Sequence, residues 1–228
     1  KCTTSLLEGS QTLILYGDVP LININDLTKL IQVSENGLGI LTFDKRNPKG
    51  YGRIKRTEGV VEGIIEEKDC SITEKKITEI NTGIMCIDSS KLNNWLPQIT
   101  NNNSQKEYYL TDIVALAKKD NTKIVTHEAK DEHTILGINT KAELVAMEKI
   151  LKQKKNTELI EQGVTIIDSS RTEIRGSLVC GSDVEIDVGC IFEGEVELGN
   201  NVKVGAYSHI KDSNILDNAN IKPYSHID

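Results

Sequence analysis

The fold this 228-residue chain predicts is an α/β sheet unit, then a long helix, then a parallel β-helix. Three observations carry that reading. The first part alternates strand and helix patterns with connections too long for hairpins, the mark of an α/β sheet. Thr140 and Glu143 then form a T-x-x-E capping box that opens a long helix. From Val164 onward helical periodicity stops and aliphatic residues recur every six positions: Ile186, Phe192, Leu198, Val204 and Ile210, then, after a one-residue slip, Ile215, Ile221 and Ile227. A period of six gives three short faces per turn of a parallel β-helix, each aliphatic pointing into a narrow core.

Taken in order, residues 1–10 read as the end of a helix carrying Leu6 and Leu7 and leaving at Gly9. Leu13, Ile14, Leu15 and Tyr16 follow as a near-continuous apolar run, the pattern of a strand buried on both faces in a parallel sheet. Gly17, Asp18 and Pro20 stop it and leave one carboxylate at its carboxyl edge, where open α/β sheets place ligands. An Asp there suits a divalent cation that also touches phosphate oxygens, and it equally suits a plain turn before Pro20. Asn25 or Asp26 caps a helix burying Leu27, Leu30 and Ile31, ended by Asn36-Gly37. Residues 39–44 are the next strand. Segments 53–56 and 60–66 flank Thr57-Glu58-Gly59 as a hairpin. Before it, Gly50-Tyr51-Gly52 is a short glycine loop crowded by Lys45, Arg46, Lys49, Arg53, Lys55 and Arg56, a solvated charged face or a place to hold an anion.

Residues 78–87 read as a strand interrupted by Asn81-Thr82-Gly83, whose polar groups need partners in the backbone, in each other or in a ligand. A helix over 89–96 packs Leu92, Trp95 and Leu96 and stops at Pro97. Thr111 caps a further helix burying Ile113, Leu116 and Ala117, Tyr108 and Tyr109 read as core, and 124–126 is a strand. The long helix shows Leu144, Met147 and Leu151 on one face, with a break at Asn156 and a Lys- and Glu-rich outer face suited to bridging domains. These patterns divide the chain into residues 1–139, a linker helix over 140–163, and 164–228.

A net charge of −7 without a basic block argues against nucleic acid as a partner. No apolar run is long enough to span a bilayer and no signal peptide is visible. The five cysteines (Cys2, Cys70, Cys86, Cys180 and Cys190) are scattered without a C-x-x-C pair, which fits a reducing cytoplasm.

The segments LILYGDVPL, NPKGYGRI, IIEEKD, EINTGI, TNNNSQKEYYLTDI and LGIN, in that order and followed by hexapeptide repeats, closely resemble one family along essentially the whole chain. It is the bacterial bifunctional N-acetylglucosamine-1-phosphate uridyltransferase and glucosamine-1-phosphate acetyltransferase family, GlmU. The resemblance implies a Rossmann-like nucleotidyltransferase domain lacking its first part, then the start of a left-handed β-helix. It implies that UTP and N-acetylglucosamine 1-phosphate give UDP-N-acetylglucosamine, for peptidoglycan and lipopolysaccharide precursors, in a cytoplasmic homotrimer joined through the β-helix. By the same resemblance Asp18 and Asn139 hold Mg²⁺, Asp18 being the catalytic position. Tyr16 and Gly17 line the nucleotide-sugar, and Gly52, Glu66 and Asn81 form the N-acetylglucosamine pocket. Two departures stand out. The family's opening strand and glycine-rich phosphate loop fall before Lys1, so the chain reads as an internal fragment. The acetyltransferase site, with its histidine and acetyl-CoA contacts, lies in later coils, and His209 and His226 do not match that histidine. His127 and His133 lack ligand-like company. The alternative reading is a non-catalytic trimeric scaffold that binds nucleotide-sugar weakly or not at all.

Overall fold

The computed structural model describes residues 9–102 and 105–228, so the helix end read at Leu6 and Leu7 lies outside the described residues. The chain divides into two compact units, Lys1–Asn139 and Thr140–Asp228.

The first unit is a Rossmann-like three-layer α/β/α arrangement. Its strands are β1 (Gln11–Ile14), β2 (Leu38–Asp44), β3 (Arg53–Thr57), β4 (Val60–Ile65), β5 (Glu79–Asp88) and β6 (Ile124–Glu128). Helix α1 (Ile24–Val33) covers one face, where Leu30 meets Leu41, Ile80, Ile84 and Cys86. Helices α2 (Ser89–Trp95) and α3 (Ile113–Lys119) cover the other, where Trp95, Ile113 and Ala117 meet Leu38, Ile40, Met85 and Ile87. The alternation of Ile84 and Cys86 with Met85 and Ile87 sends neighbouring side chains into opposite layers, as the pleat requires.

The strand order is β4-β3-β5-β2-β6, with β1 also on β5. Here the expectation of a parallel sheet is corrected. Only β2 and β6 pair in parallel, while β5 runs antiparallel to β1, β2 and β3. The strand–helix–strand unit is present, but β5, arriving from later in the chain, inserts between β1 and β2. The expected doubly buried strand is corrected as well. Leu15 and Tyr16 lie past the end of β1 and are 46% and 47% exposed, because the ladder stops at the Ile14↔Met85 pair. Asn23, rather than Asn25 or Asp26, caps α1 by accepting from Asn25 N. Between β3 and β4, Glu58 and Gly59 take φ of 50° and 82°, the left-handed pair of a two-residue hairpin turn.

The basic residues around the glycine loop are mostly spent on carboxylates. Arg53 is 1% exposed and bonds Glu67 at 2.6 Å, Lys55 pairs with Glu74 and Arg56 with Glu79, and Lys45 pairs with Glu132. The Arg53 hydrogen bond in turn holds the Glu67 carboxyl below its ordinary range. Four of the six basic residues are therefore committed to internal pairing.

The second unit opens with α4 (Lys141–Glu161), capped reciprocally by Thr140 and Glu143. The helix does not break at Asn156. That side chain is fully buried, and its Nδ2 donates to the carbonyls of Ser169 and Thr172, clamping α4 to the first coil. Of the expected apolar face only Met147 is buried, while Leu144 and Leu151 are exposed. Polar clamps take over there: Lys152 reaches Ser170 O and Glu173, and Lys155 reaches Gly176 O.

The solenoid strands are β7 (Thr165–Ile166), β8 (Glu173–Cys180), β9 (Glu185–Ile186), β10 (Ile191–Leu198), β11 (Lys203–Val204), β12 (His209–Lys211), β13 (Asn214–Ile215), β14 (Asn220–Ile221) and β15 (His226–Ile227). All their pairings are parallel. Ile191 sits between Glu173 and His209, a spacing of 18 residues, and His209 pairs with His226, a spacing of 17. Three hexads per coil and the one-residue slip are thus seen directly. All eight predicted aliphatics lie in one core, extended backward by Ile174 and Cys180. A second inward row, two residues before each, adds Val184, Cys190, Val196, Val202 and Ser208. The corners take positive φ in register, as at Asp183, Asn201 and Asn218.

Candidate functional site

Strand β5 has two edges. One is taken by β2 along its length, and β1 and β3 share the other. Strand β1 ends opposite Met85, and β3 begins opposite Ile80. The stretch Thr82–Ile84 between them has no strand partner on that edge, and the β2–β5 register shifts at the same place. Irregularities of this kind turn side chains and free backbone near ligand sites. Here the bulge is internally satisfied: Thr82 Oγ1 donates to Leu41 O at 2.7 Å, and Gly83 N donates to Asn81 Oδ1 at 3.0 Å. The polar triplet inside the strand thus finds backbone partners.

The residues singled out in the sequence approach this gap from several sides. Tyr16 continues the line of β1 and lies over Gly83, so closely that a Cβ at Gly83 would fall 2.1 Å from the ring. From the other side Gly52 O accepts from Asn81 N at 2.9 Å. Glu66, one residue past β4, folds its carboxylate over Gly52, where a Cβ would sit 3.4 Å from Oε2. Asp18 is exposed at the turn after β1. Its carbonyl accepts from Ile138 N at 2.9 Å, and Gly137 lies against its carboxylate, since a Cβ there would stand 3.3 Å from Oδ2. The strap ending in the exposed Asn139 is thereby tied to Asp18. Gly17, exposed between Tyr16 and Asp18, has open space where a side chain would be.

Burial raises the Tyr16 phenol above its ordinary value, and the Glu66 and Asp18 carboxylates add to the rise. At neutral pH the Tyr16 phenol therefore stays protonated, a hydrogen-bond donor. Among the described residues no group of three or more His, Cys, Asp or Glu side chains is assembled as a metal cage.

Two neighbours escaped the sequence reading. Thr111, 9% exposed, donates from Oγ1 to Glu66 Oε1 at 3.0 Å instead of capping α3. Tyr108 is 65% exposed rather than core. Tyr109 is half-buried, and its phenol is raised by burial and then by Glu107, Asp69 and Glu66. The Glu107-Tyr108-Tyr109 run within the motif was a signal, but it did not say which way the rings face.

The Tyr16–Gly83 approach makes a direct prediction. Gly83 has φ +82°, which strains any other residue, and a methyl group there drives into the ring. Gly83→Ala is expected to cost about 1–2 kcal/mol from the backbone alone, read as a lower urea midpoint. An unchanged midpoint would mean that residue 83 does not hold this left-handed backbone against the Tyr16 ring.

These features define a class: an α/β unit with an exposed aspartate and a cluster of polar side chains at one sheet gap, carried in the same chain as a parallel β-helix with three faces per coil. Curated relatives share that chain. It is 44% identical over 98% of its length to the "Bifunctional protein GlmU" of Methylobacillus flagellatus, covering 48% of that protein. The bifunctional GlmU of Neisseria meningitidis serogroup B matches at 45% over 96% of the chain and 48% of its own length. That of Janthinobacterium sp. (strain Marseille) matches at 46% over 100% and 51%. The chain spans about half the length of the curated relatives it matches. No family model matches. The resemblance to the GlmU family read from the motifs thus holds from end to end of the chain.

Proposed function

We propose that the α/β unit is the uridyltransferase part of a bifunctional GlmU-type enzyme, which joins UTP and N-acetylglucosamine 1-phosphate into UDP-N-acetylglucosamine. The convergence of Tyr16, Asp18, Gly52, Glu66 and Asn81 on one gap along β5 carries this reading. A phosphate oxygen of the sugar phosphate attacks the α-phosphorus of UTP; the new O–P bond forms as the bond to pyrophosphate breaks. The attacking group has a second pKa of about 6 and is largely ionised at neutral pH, so no general base is required. Positioning and charge neutralisation do the work.

The exposed Asp18 carboxylate, with Asn139 on the strap tied to it, is a sparse donor set. It suits Mg²⁺, which takes one or two protein ligands and fills its shell with water and phosphate oxygens. Asp18 and Asn139 would hold the ion, whose chemistry is to neutralise and align the phosphates. Glu66 and Asn81 would bond the sugar hydroxyls and acetamide, and the missing side chain of Gly52 leaves room for the Glu66 carboxylate. The Tyr16 phenol, kept protonated, would donate to the ligand between Glu66 and Asp18.

In the same proposal the longer protein acetylates glucosamine 1-phosphate with acetyl-CoA at a site outside these residues. It works in the cytoplasm as a homotrimer joined through the β-helix and supplies peptidoglycan and lipopolysaccharide synthesis. Among the described residues no helix is long and apolar enough to cross a membrane. Calorimetric titration of the chain with UDP-N-acetylglucosamine, with and without Mg²⁺, tests the core of the reading. Saturable binding strengthened by Mg²⁺ is expected. Its absence in a folded chain favours the scaffold alternative.

A further inference from the structure

We propose that Thr111 is a positioning residue that sets the pose of Glu66 and, through it, the affinity of the site for the sugar. This rests on the uridyltransferase reading above. A threonine just ahead of a helix ordinarily caps it. Here α3 has no side-chain cap, and the Thr111 hydroxyl crosses instead to Glu66 Oε1 at 3.0 Å, between segments 45 positions apart in the chain. The hydroxyl sits on a residue only 9% exposed, so it is shielded from competing water.

Glu66 needs such a constraint. It lies one residue past the end of β4, and its flexible side chain has several rotamers to choose from. The structure holds it at two points. Its carboxylate lies against Gly52, and Oε1 accepts a hydrogen bond from the Thr111 hydroxyl. With one acceptor site of Oε1 taken by Thr111, Oε2 and the rest of Oε1 are held in place to accept from a sugar hydroxyl or the acetamide N–H. Without Thr111 the carboxylate could swing away from Gly52 into water, and each binding event would have to order it again. Thr111 therefore shapes the pocket without touching the sugar.

The test is calorimetric titration of the chain with N-acetylglucosamine 1-phosphate. It compares wild type, Thr111→Val, Thr111→Ser, Glu66→Gln and the Glu66→Gln/Thr111→Val pair. Valine keeps the shape and removes the donor, and a charge-assisted hydrogen bond makes about a tenfold loss of affinity the expected result. Serine restores the donor and should return affinity to near wild type. In the Glu66→Gln background the valine change should add little, since residues acting through one contact are not additive. A purely structural role for Thr111 would give independent, additive losses. Wild-type affinity in Thr111→Val, failed rescue by serine, or additivity would overturn the assignment while leaving the uridyltransferase reading standing. No binding by the folded wild-type chain would overturn both.

Discussion

Asp18→Asn removes the Mg²⁺ dependence of UDP-N-acetylglucosamine binding and leaves the unfolding transition of the chain in place. The substitution keeps size and shape and removes one negative charge, the feature a hard divalent cation requires. Affinity measured with Mg²⁺ should fall to the metal-free level, a loss of about tenfold or more given what a ligand change does to such sites. The fold should be indifferent, because the Asp18 side chain is exposed and its tie to Ile138 runs through the backbone carbonyl, which asparagine retains. Calorimetry with and without Mg²⁺, beside a thermal melt, reads both halves. Retained Mg²⁺ dependence would move the metal away from Asp18. A collapsed melt would give Asp18 a structural role instead.

Phe192→Ala should be the most damaging single change in the solenoid, at about 3–5 kcal/mol. Phe192 is 1% exposed and stands in register between Ile174 of the preceding coil and Ile210 of the next. Those neighbours are β-branched, and ladder hydrogen bonds hold their backbones at the fixed spacing of paired strands, about 4.8 Å. The cavity left by the ring cannot close by a shift of the coils. Val179→Ala offers the control: it lies on the same sheet but is 60% exposed, and a change of within about 0.5 kcal/mol is expected. Urea unfolding followed by circular dichroism separates the two. Equal losses would mean that the inward row does not carry the unit.

The solenoid was legible because its code is local. A six-residue period projects straight onto faces, and a one-residue slip becomes a 17-residue coil. The companion row two residues earlier was not legible, since Ser208 interrupts its apolar character. In the sheet unit, element positions followed from local pattern, but strand order did not. Nothing near Leu13–Tyr16 announces that a strand from residues 79–88 will pair with β1 and leave the last two of those residues uncovered. Charge was misread for the same reason. The partners of Lys45, Arg53, Lys55 and Arg56 lie 14 to 87 positions away. Of the site, the motif residues could be named one by one, whereas Thr111 could not, because a threonine before a helix already has an ordinary local use.

The spacing between coils also says where this chain tolerates a change of length. Thr165 pairs with Glu185, 20 positions on, and the surplus is housed in the 3-10 turn Ser169–Arg171. The shortfall in the 17-residue coil falls at Asp212, whose carboxylate occupies the room above Gly194 and accepts from Glu195 N at 3.0 Å. Both irregularities sit at corners, and none sits within a face. The flat faces work as a lattice with a fixed repeat, so residues are added or lost only where the chain turns. Corners are thus the hinges of variation in this architecture: a graft placed there leaves every rung aligned, whereas one placed mid-face shifts every residue after it out of step.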